Sequence, residues 1–161
     1  SLATINYGAD HNFSAEAYRP ACDINYKIEG KKLSIQSWNI SAKIHEVNQF
    51  LVDTQSAQKV LLEAHPEVLF WALNQQKPMK YSKKTGLGFM QRLHLISQYQ
   101  ANAEVIIQQS YDEFSKFMLD DDIVDALVCA VCARLGNFKS LPENPPQNDF
   151  GLGMQMVYPD L

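Results

Sequence analysis

The sequence predicts an α/β fold in which helices outnumber strands. Apolar residues recur at helical spacing along most of the chain, whereas only two short segments have the pattern of strands. The chain has 161 residues, of which 46% are hydrophobic and 20% charged, and this length and composition suit one globular core. We therefore expect a single domain over residues 1–161.

The first half of the chain is predicted to be mainly helical. Ser14 is placed to cap a short helix that Pro20 interrupts, and a second helix restarts there and ends at Gly30. A longer amphipathic helix is expected over residues 34–53. Its apolar face contains Ile40, Ile44, Val47 and Leu51. The apolar residues at 59–64 then favour a short buried strand.

The second half continues this helical pattern. Pro66 stands at the first position of the next helix, directly after the predicted strand. Residues 74–84 are polar and basic and are predicted to form a loop, and Thr85 is placed to cap the helix that follows. The remaining pattern predicts helices over residues 85–99, 107–118 and 120–135. An end strand is predicted over residues 153–158.

Charge is distributed unevenly along the chain. The formal net charge is −4, from 14 Lys and Arg against 18 Asp and Glu, which argues against binding nucleic acid through bulk charge alone. Residues 104–125 are strongly acidic, whereas residues 68–103 hold no acid but contain Lys77, Lys80, Lys83, Lys84 and Arg92. A basic segment beside an acidic cluster suits a metal-dependent enzyme that acts on a phosphorylated polymer. Segregation of charge onto two solvated faces explains the same pattern.

Nothing in the sequence resembles a membrane span or a secretion signal. The longest uncharged apolar run, residues 126–133, is much shorter than the roughly 20 residues that cross a bilayer. Three cysteines are too few for a disulfide framework, and Cys129 and Cys132 lie in an apolar helix, where buried thiols are a better interpretation than a zinc site. We therefore expect a cytoplasmic protein with no membrane partner.

Two carboxylates near the start of the last helix are candidate metal ligands. Asp122 and Asp125 are one helical turn apart and can share one cation. They flank the apolar stripe of the helix, where an uncompensated carboxylate is costly. The alternative explanation is the favourable interaction of acidic residues with a helix N-terminus.

Three further polar residues surround the predicted strand-to-helix corner. Glu63 ends the strand and Glu67 lies in the first turn of the helix, so either can face a cleft at the carboxyl end of a strand. Interaction with the helix dipole explains Glu67 equally well. His65 is better explained as a hydrogen-bonded corner residue, or as a support for a neighbouring ligand, than as a base, because no serine or cysteine nucleophile motif accompanies it.

One long block of sequence resembles a known family. Residues 63–74 (EAHPEVLFWALN), with KPM at 77–79 and YSKKT at 81–85, are similar to the predicted RNase H-like nuclease family catalogued as domain of unknown function 429. The resemblance extends over about residues 14–158. It implies an RNase H-like fold. Residues 122–127 also resemble the last catalytic helix of Holliday-junction resolvases, in which Mg²⁺ or Mn²⁺ ions assist phosphodiester cleavage.

The resemblance is to the C-terminal part of the family. Its members begin with a Gly-x-Asp-Gly strand and a hairpin and later carry an acidic strand of the Asp-x-Pro type, and neither motif is found here. The acids of those strands are expected to complete the metal site. We therefore expect a partial RNase H-like fold with an exposed sheet edge, through which the chain can form a homo-oligomer.

Our first hypothesis is the metal-binding half of a nuclease. Asp122 and Asp125 bind Mg²⁺ or Mn²⁺, Glu63 is a further catalytic acid, and His65 and Glu67 support these residues. The predicted phosphate contacts are Lys80, Lys83 and Lys84. The alternative is a non-catalytic interaction module, or nucleic-acid-binding module, derived from the same fold.

Overall fold

A computed structural model describes residues 13–117 and 120–161, apart from the side chain of Asp120. The chain divides into two compact units. Unit 1 comprises Ser1–Leu61 and Gln147–Gly153, and unit 2 comprises Leu62–Pro146 and Met154–Leu161. The single domain expected from the sequence stays a prediction, because two compact units can be two domains or two parts of one domain.

The described part of unit 1 consists mainly of two helices. Helix α1 spans Tyr18–Glu29 and helix α2 spans Ile35–Asp53, with 3-10 turns at Ala15–Ala17 and Ala57–Lys59. Gly30 ends α1 with a φ of +69°, in the left-handed conformation that glycine adopts without strain.

Unit 1 has a small aromatic core around Trp38. The Trp38 side chain is buried, and its ring centroid lies 5.9 Å from that of Phe13 and 5.7 Å from that of Tyr18. The Tyr18 hydroxyl donates to the carbonyl oxygen of Leu33 at 3.0 Å, and this bond joins α1 to the segment that precedes α2. Much of the predicted apolar face of α2 is exposed, including Ile40, Ile44 and Val47.

Unit 2 contains four helices and two strands within the described residues. The helices are α3 (Pro66–Leu73), α4 (Gly86–Ser97), α5 (Ala103–Phe114) and α6 (Asp120–Leu135), and the strands are β1 (Phe138–Leu141) and β2 (Met156–Pro159). The strands pair antiparallel, with Phe138 opposite Pro159 and Leu141 opposite Met156. The largest fully buried side chains of the core that the helices share are Leu69, Phe70, Ile96, Val124, Val128 and Cys132.

The helix-rich α/β class is confirmed, and most helices lie close to their predicted positions. The buried strand predicted at 59–64 is wrong, because that segment forms no strand and Val60 is 75% exposed. Strand β1 was not foreseen, and β2 begins three residues later than the predicted end strand. Met118, predicted for the fifth helix, lies outside the described residues. None of the described helices is long and apolar enough to cross a bilayer.

Candidate functional site

The four lysines of the basic segment lie in a loop that joins α3 to α4 (residues 74–85, the basic loop). Helix α4 holds this loop by its backbone. Oε1 of Gln91 accepts hydrogen bonds from the N–H groups of Lys80 at 3.1 Å and Tyr81 at 3.2 Å. Met79, between the exposed lysines, packs partly buried against the core of unit 2. The loop is therefore anchored both by hydrogen bonds and by apolar contact.

The end of the basic loop forms the cap of α4. The Thr85 hydroxyl accepts a hydrogen bond from the Gly88 N–H at 3.1 Å and donates to the Ser82 carbonyl oxygen at 2.8 Å. Gly88 permits this close approach, because a Cβ atom at that position would lie 1.9 Å from the Ser82 oxygen. The absence of a side chain at residue 88 thus sets how near the loop lies to the helix.

Arg92 is the central buried cation of unit 2, with 3% of its surface exposed. Its Nη2 donates to both carboxylate oxygens of Glu67 at 2.8 Å, while Nη1 donates to the carbonyl oxygens of Tyr81 at 3.1 Å and Gly88 at 3.0 Å. The guanidinium also lies over the ring of Phe70, 5.4 Å from its centroid. A buried guanidinium needs this degree of compensation, and the arrangement links α3, α4 and the basic loop.

Two lysines of the basic loop form ion pairs with α6. Nζ of Lys83 lies 2.6 Å from Oδ2 of Asp125 and 3.2 Å from Oδ2 of Asp121, and Nζ of Lys84 lies 2.8 Å from the same oxygen of Asp121. The side chains of Asp121 and Asp125 are only 16% and 17% exposed. A cavity of about 10 Å³ adjoins these groups, with room for at most one water molecule. The four charges balance, so this cluster is locally neutral.

The ion pairs favour the charged forms of both partners. Hydrogen bonds from Lys84 and then Lys83 hold the pKa of Asp121 below its ordinary value, against the opposing effect of burial. Hydrogen bonds to Asp125 and Asp121 raise the pKa of Lys83. Lys83 is therefore a cation at neutral pH.

Four other predicted site residues lie on α6 and around the start of α3. Asp122 is exposed on α6. Glu63 has an exposed side chain, and its carbonyl oxygen accepts a hydrogen bond from the Val157 N–H at 2.7 Å. His65 caps α3, since its Nδ1 accepts from the Glu67 N–H at 3.3 Å. Glu67 itself is the partner of Arg92.

The donor set on α6 fits a divalent cation in part. Asp121 and Asp125 already converge on one cationic nitrogen, and Mg²⁺ is commonly bound by one or two carboxylates together with waters and substrate phosphates. In this structure the ammonium of Lys83 supplies that positive charge. Among the described residues, no group of three or more His, Cys, Asp or Glu side chains is arranged to hold an ion.

Cys129 and Cys132 are shielded thiols on α6. Burial raises the pKa of Cys132 to about 12 and also raises the pKa of Cys129. A thiol must lose its proton to bind zinc or to attack a disulfide, so burial opposes both roles. Cys132 is buried, as the interpretation of a small buried thiol expects, whereas Cys129 is half-buried.

Sequence reasoning did not identify Gln91, Arg92 or Asp121 as parts of this arrangement. The position of Arg92 could have indicated its role, because it lies on the same helical face as Phe89 and Ile96. A charged side chain among core positions requires a buried partner. The position of Gln91 offered no such indication, because its role depends on the path of the loop backbone.

The comparisons with known proteins show a family and nothing narrower. The family model described as "Protein of unknown function (DUF429)" matches residues 3–147. No curated protein and no solved structure matches the chain. Because the matched segment covers most of the sequence, including the basic loop and α6, the chain belongs to the DUF429 family.

Proposed function

We propose that the chain is a divalent-metal-dependent nuclease of the RNase H-like type, acting where the basic loop meets α6. The observation that carries this proposal is the convergence of two α6 carboxylates, Asp121 and Asp125, on the single nitrogen of Lys83. Carboxylates that share a cation beside lysines that can bind phosphate are the groups that metal-assisted phosphodiester hydrolysis requires.

Each group has a defined role in this proposal. Asp121 and Asp125 would hold Mg²⁺ or Mn²⁺, and the bound ion would supply charge neutralisation at the phosphate and a nucleophilic water at neutral pH. Asp122, predicted from the sequence to bind the ion together with Asp125, lies one residue beyond Asp121 on the same helix, and its role as a ligand stays a prediction. Lys83 and Lys84 bind substrate phosphates once their ammonium groups leave the carboxylates. Glu63 as an additional acid stays a prediction.

Metal binding and cleavage should be measured together. Mn²⁺ is titrated into the chain by calorimetry, and cleavage of single-stranded and double-stranded DNA and RNA is followed with Mn²⁺, with Mg²⁺ and with EDTA. We expect saturable binding and metal-dependent cleavage, both abolished by Asp125→Asn. Asp112→Asn is the matched control, because Asp112 is an exposed acid on α5. Circular dichroism must show that both variants remain folded.

A specific observation favours a second candidate, a nucleic-acid-binding module without catalysis. The cation position between Asp121 and Asp125 is filled by a side chain of the protein itself, and an internal ion pair can serve stability alone. This candidate predicts nucleic-acid binding in EDTA and no cleavage with either metal. Cleavage by the parent that persists in Asp125→Asn would contradict the metal site assigned above.

A further inference from the structure

The lysines of the basic loop differ in what they contact. Lys83 and Lys84 are paired with α6, whereas Lys77 and Lys80 are exposed and form no ion pair within the part of the chain that the structure describes. Lys77 and Lys80 therefore carry positive charge that a ligand can use without first breaking an ion pair.

An exposed aromatic ring lies beside Lys80. The Tyr81 side chain is exposed, and Nζ of Lys80 lies 5.1 Å from the centroid of its ring. A tyrosine ring is a sequence-tolerant platform for a nucleobase, and alanine substitution of such rings costs about 1–3 kcal/mol per stacked base. A base on this ring competes with the Lys80 ammonium, which is then available to the neighbouring phosphate.

The backbone that carries Tyr81 is fixed from both sides of the residue. Its N–H group donates to Gln91 and its carbonyl oxygen accepts from Arg92, which is itself held by Glu67. A ligand that stacks on this ring therefore meets a preorganised surface, so little conformational entropy is lost on binding.

We infer that the basic loop binds single-stranded nucleic acid through Tyr81 and Lys80, with Lys77 as a further cation on the same loop. Stacking requires an unpaired base, because the faces of bases in a duplex are covered by their neighbours. Lys80 contacts the backbone phosphate next to the stacked base, and Lys77 adds positive charge along the same strand. This inference rests on the proposed function and narrows its substrate class to a single strand.

The test uses a fluorescein-labelled oligothymidine of about 20 nucleotides, which is longer than typical single-strand sites, and a duplex of the same length. Fluorescence anisotropy is measured in EDTA, which prevents metal-dependent cleavage, over a range of salt concentrations. We expect the oligothymidine to bind more tightly than the duplex. Tyr81→Leu should weaken binding to the single strand about 10-fold, while Tyr81→Phe should bind like the parent.

The salt dependence of the Kd distinguishes the contribution of ring stacking from that of phosphate contacts. Lys80→Gln should reduce the slope of log Kd against log salt by about 0.7, the value for one phosphate contact on a single strand. Tyr81→Leu should leave that slope unchanged. Tyr111→Leu is the control, because Tyr111 is a comparably exposed tyrosine on α5. Its affinity should equal that of the parent.

The outcomes distinguish this inference from the function on which it rests. If the parent binds and Tyr81→Leu binds equally well, the inference is overturned while nucleic-acid binding stands. Equal or tighter binding of the duplex overturns it as well. If neither probe binds to the parent in EDTA, the inference is overturned, and the cleavage assay with Mn²⁺ decides the proposed function separately. Loss of cleavage in Asp125→Asn tests the nuclease independently of Tyr81.

Discussion

Gly88 gives the sharpest test of how the basic loop is held. A Cβ atom at this position would lie 1.9 Å from the Ser82 carbonyl oxygen and 2.6 Å from its carbonyl carbon. Both are backbone atoms, so relief requires the loop to move away from α4. The same Ser82 oxygen accepts from the N–H and hydroxyl groups of Thr85, at 3.0 Å and 2.8 Å, and this displacement strains both bonds.

The expected cost of Gly88→Ala follows from these contacts. Overpacking costs about 1–3 kcal/mol, and each weakened hydrogen bond adds about 1 kcal/mol. The higher helix propensity of alanine returns about 1 kcal/mol at most. We therefore expect Gly88→Ala to lower the free energy of unfolding by about 2–4 kcal/mol.

Gly86 supplies a matched control within the same helix. It opens α4, and a Cβ atom there meets nothing within 4 Å. Gly86→Ala should therefore be neutral or stabilising by up to about 1 kcal/mol. The assay is urea unfolding followed by circular dichroism at 222 nm, the usual helix signal. Equal stability of the two variants would refute the idea that contact at Gly88 holds the loop against α4.

Three further substitutions or reactions test other contacts of unit 2. Lys84 and Lys83 lower the pKa of Asp121, so the Asp121 carboxylate stabilises the folded state at pH values above its unfolded pKa of about 4. The loss of unfolding free energy caused by Asp121→Asn should therefore be complete at pH 7 and should disappear in acid. Urea unfolding at a series of pH values measures this loss. Glu67→Gln should destabilise by about 1–3 kcal/mol in thermal or urea unfolding, because it leaves the buried Arg92 charge without its carboxylate. Cys132 should resist a thiol reagent at pH 8 until the protein is denatured, because its pKa is raised to about 12; rapid labelling of the native protein would contradict its burial.

Local signals in the sequence were sufficient for most helices. Pro66 begins α3 and Thr85 caps α4, as their positions predicted, and the helix predicted from residue 34 has Ser34 as its cap. Each of these residues acts on groups within three positions of itself, so no knowledge of the tertiary structure is needed. Gly136 likewise follows the end of α6 with a φ of +65°.

Contacts between segments that are distant in the sequence could not be predicted from local signals. The apolar residues at 59–64 match a buried strand, but a strand requires a partner, and periodicity does not reveal whether one exists. The acidic turn of α6 posed a similar problem. The spacing allows Asp125 to share a cation with either Asp121 or Asp122. In the structure Asp125 shares Lys83 with Asp121, and Lys83 comes 42 residues before Asp125 in the sequence.

The ion pairs between the basic loop and α6 couple two kinds of ligand. A divalent cation competes with Lys83 for the carboxylates of Asp121 and Asp125, and a phosphate competes with those carboxylates for Lys83 and Lys84. Binding either ligand releases groups that the other requires. The two affinities should therefore rise together, and linkage requires each ligand to change the affinity of the other by the same factor.

This coupling gives a prediction that distinguishes the nuclease from a simple binding module. Oligothymidine affinity is measured at constant ionic strength with Mn²⁺ and with EDTA, and a gel verifies that the probe stays intact. In the parent we expect Mn²⁺ to tighten binding about 5-fold or more, the lower end of typical coupling between sites. Asp125→Asn should lose this effect, because the cation loses a ligand and Lys83 is already freed from one carboxylate. If Mn²⁺ changes the affinity of parent and variant equally, the cation acts on the nucleic acid alone, and the ion pairs between the basic loop and α6 are structural.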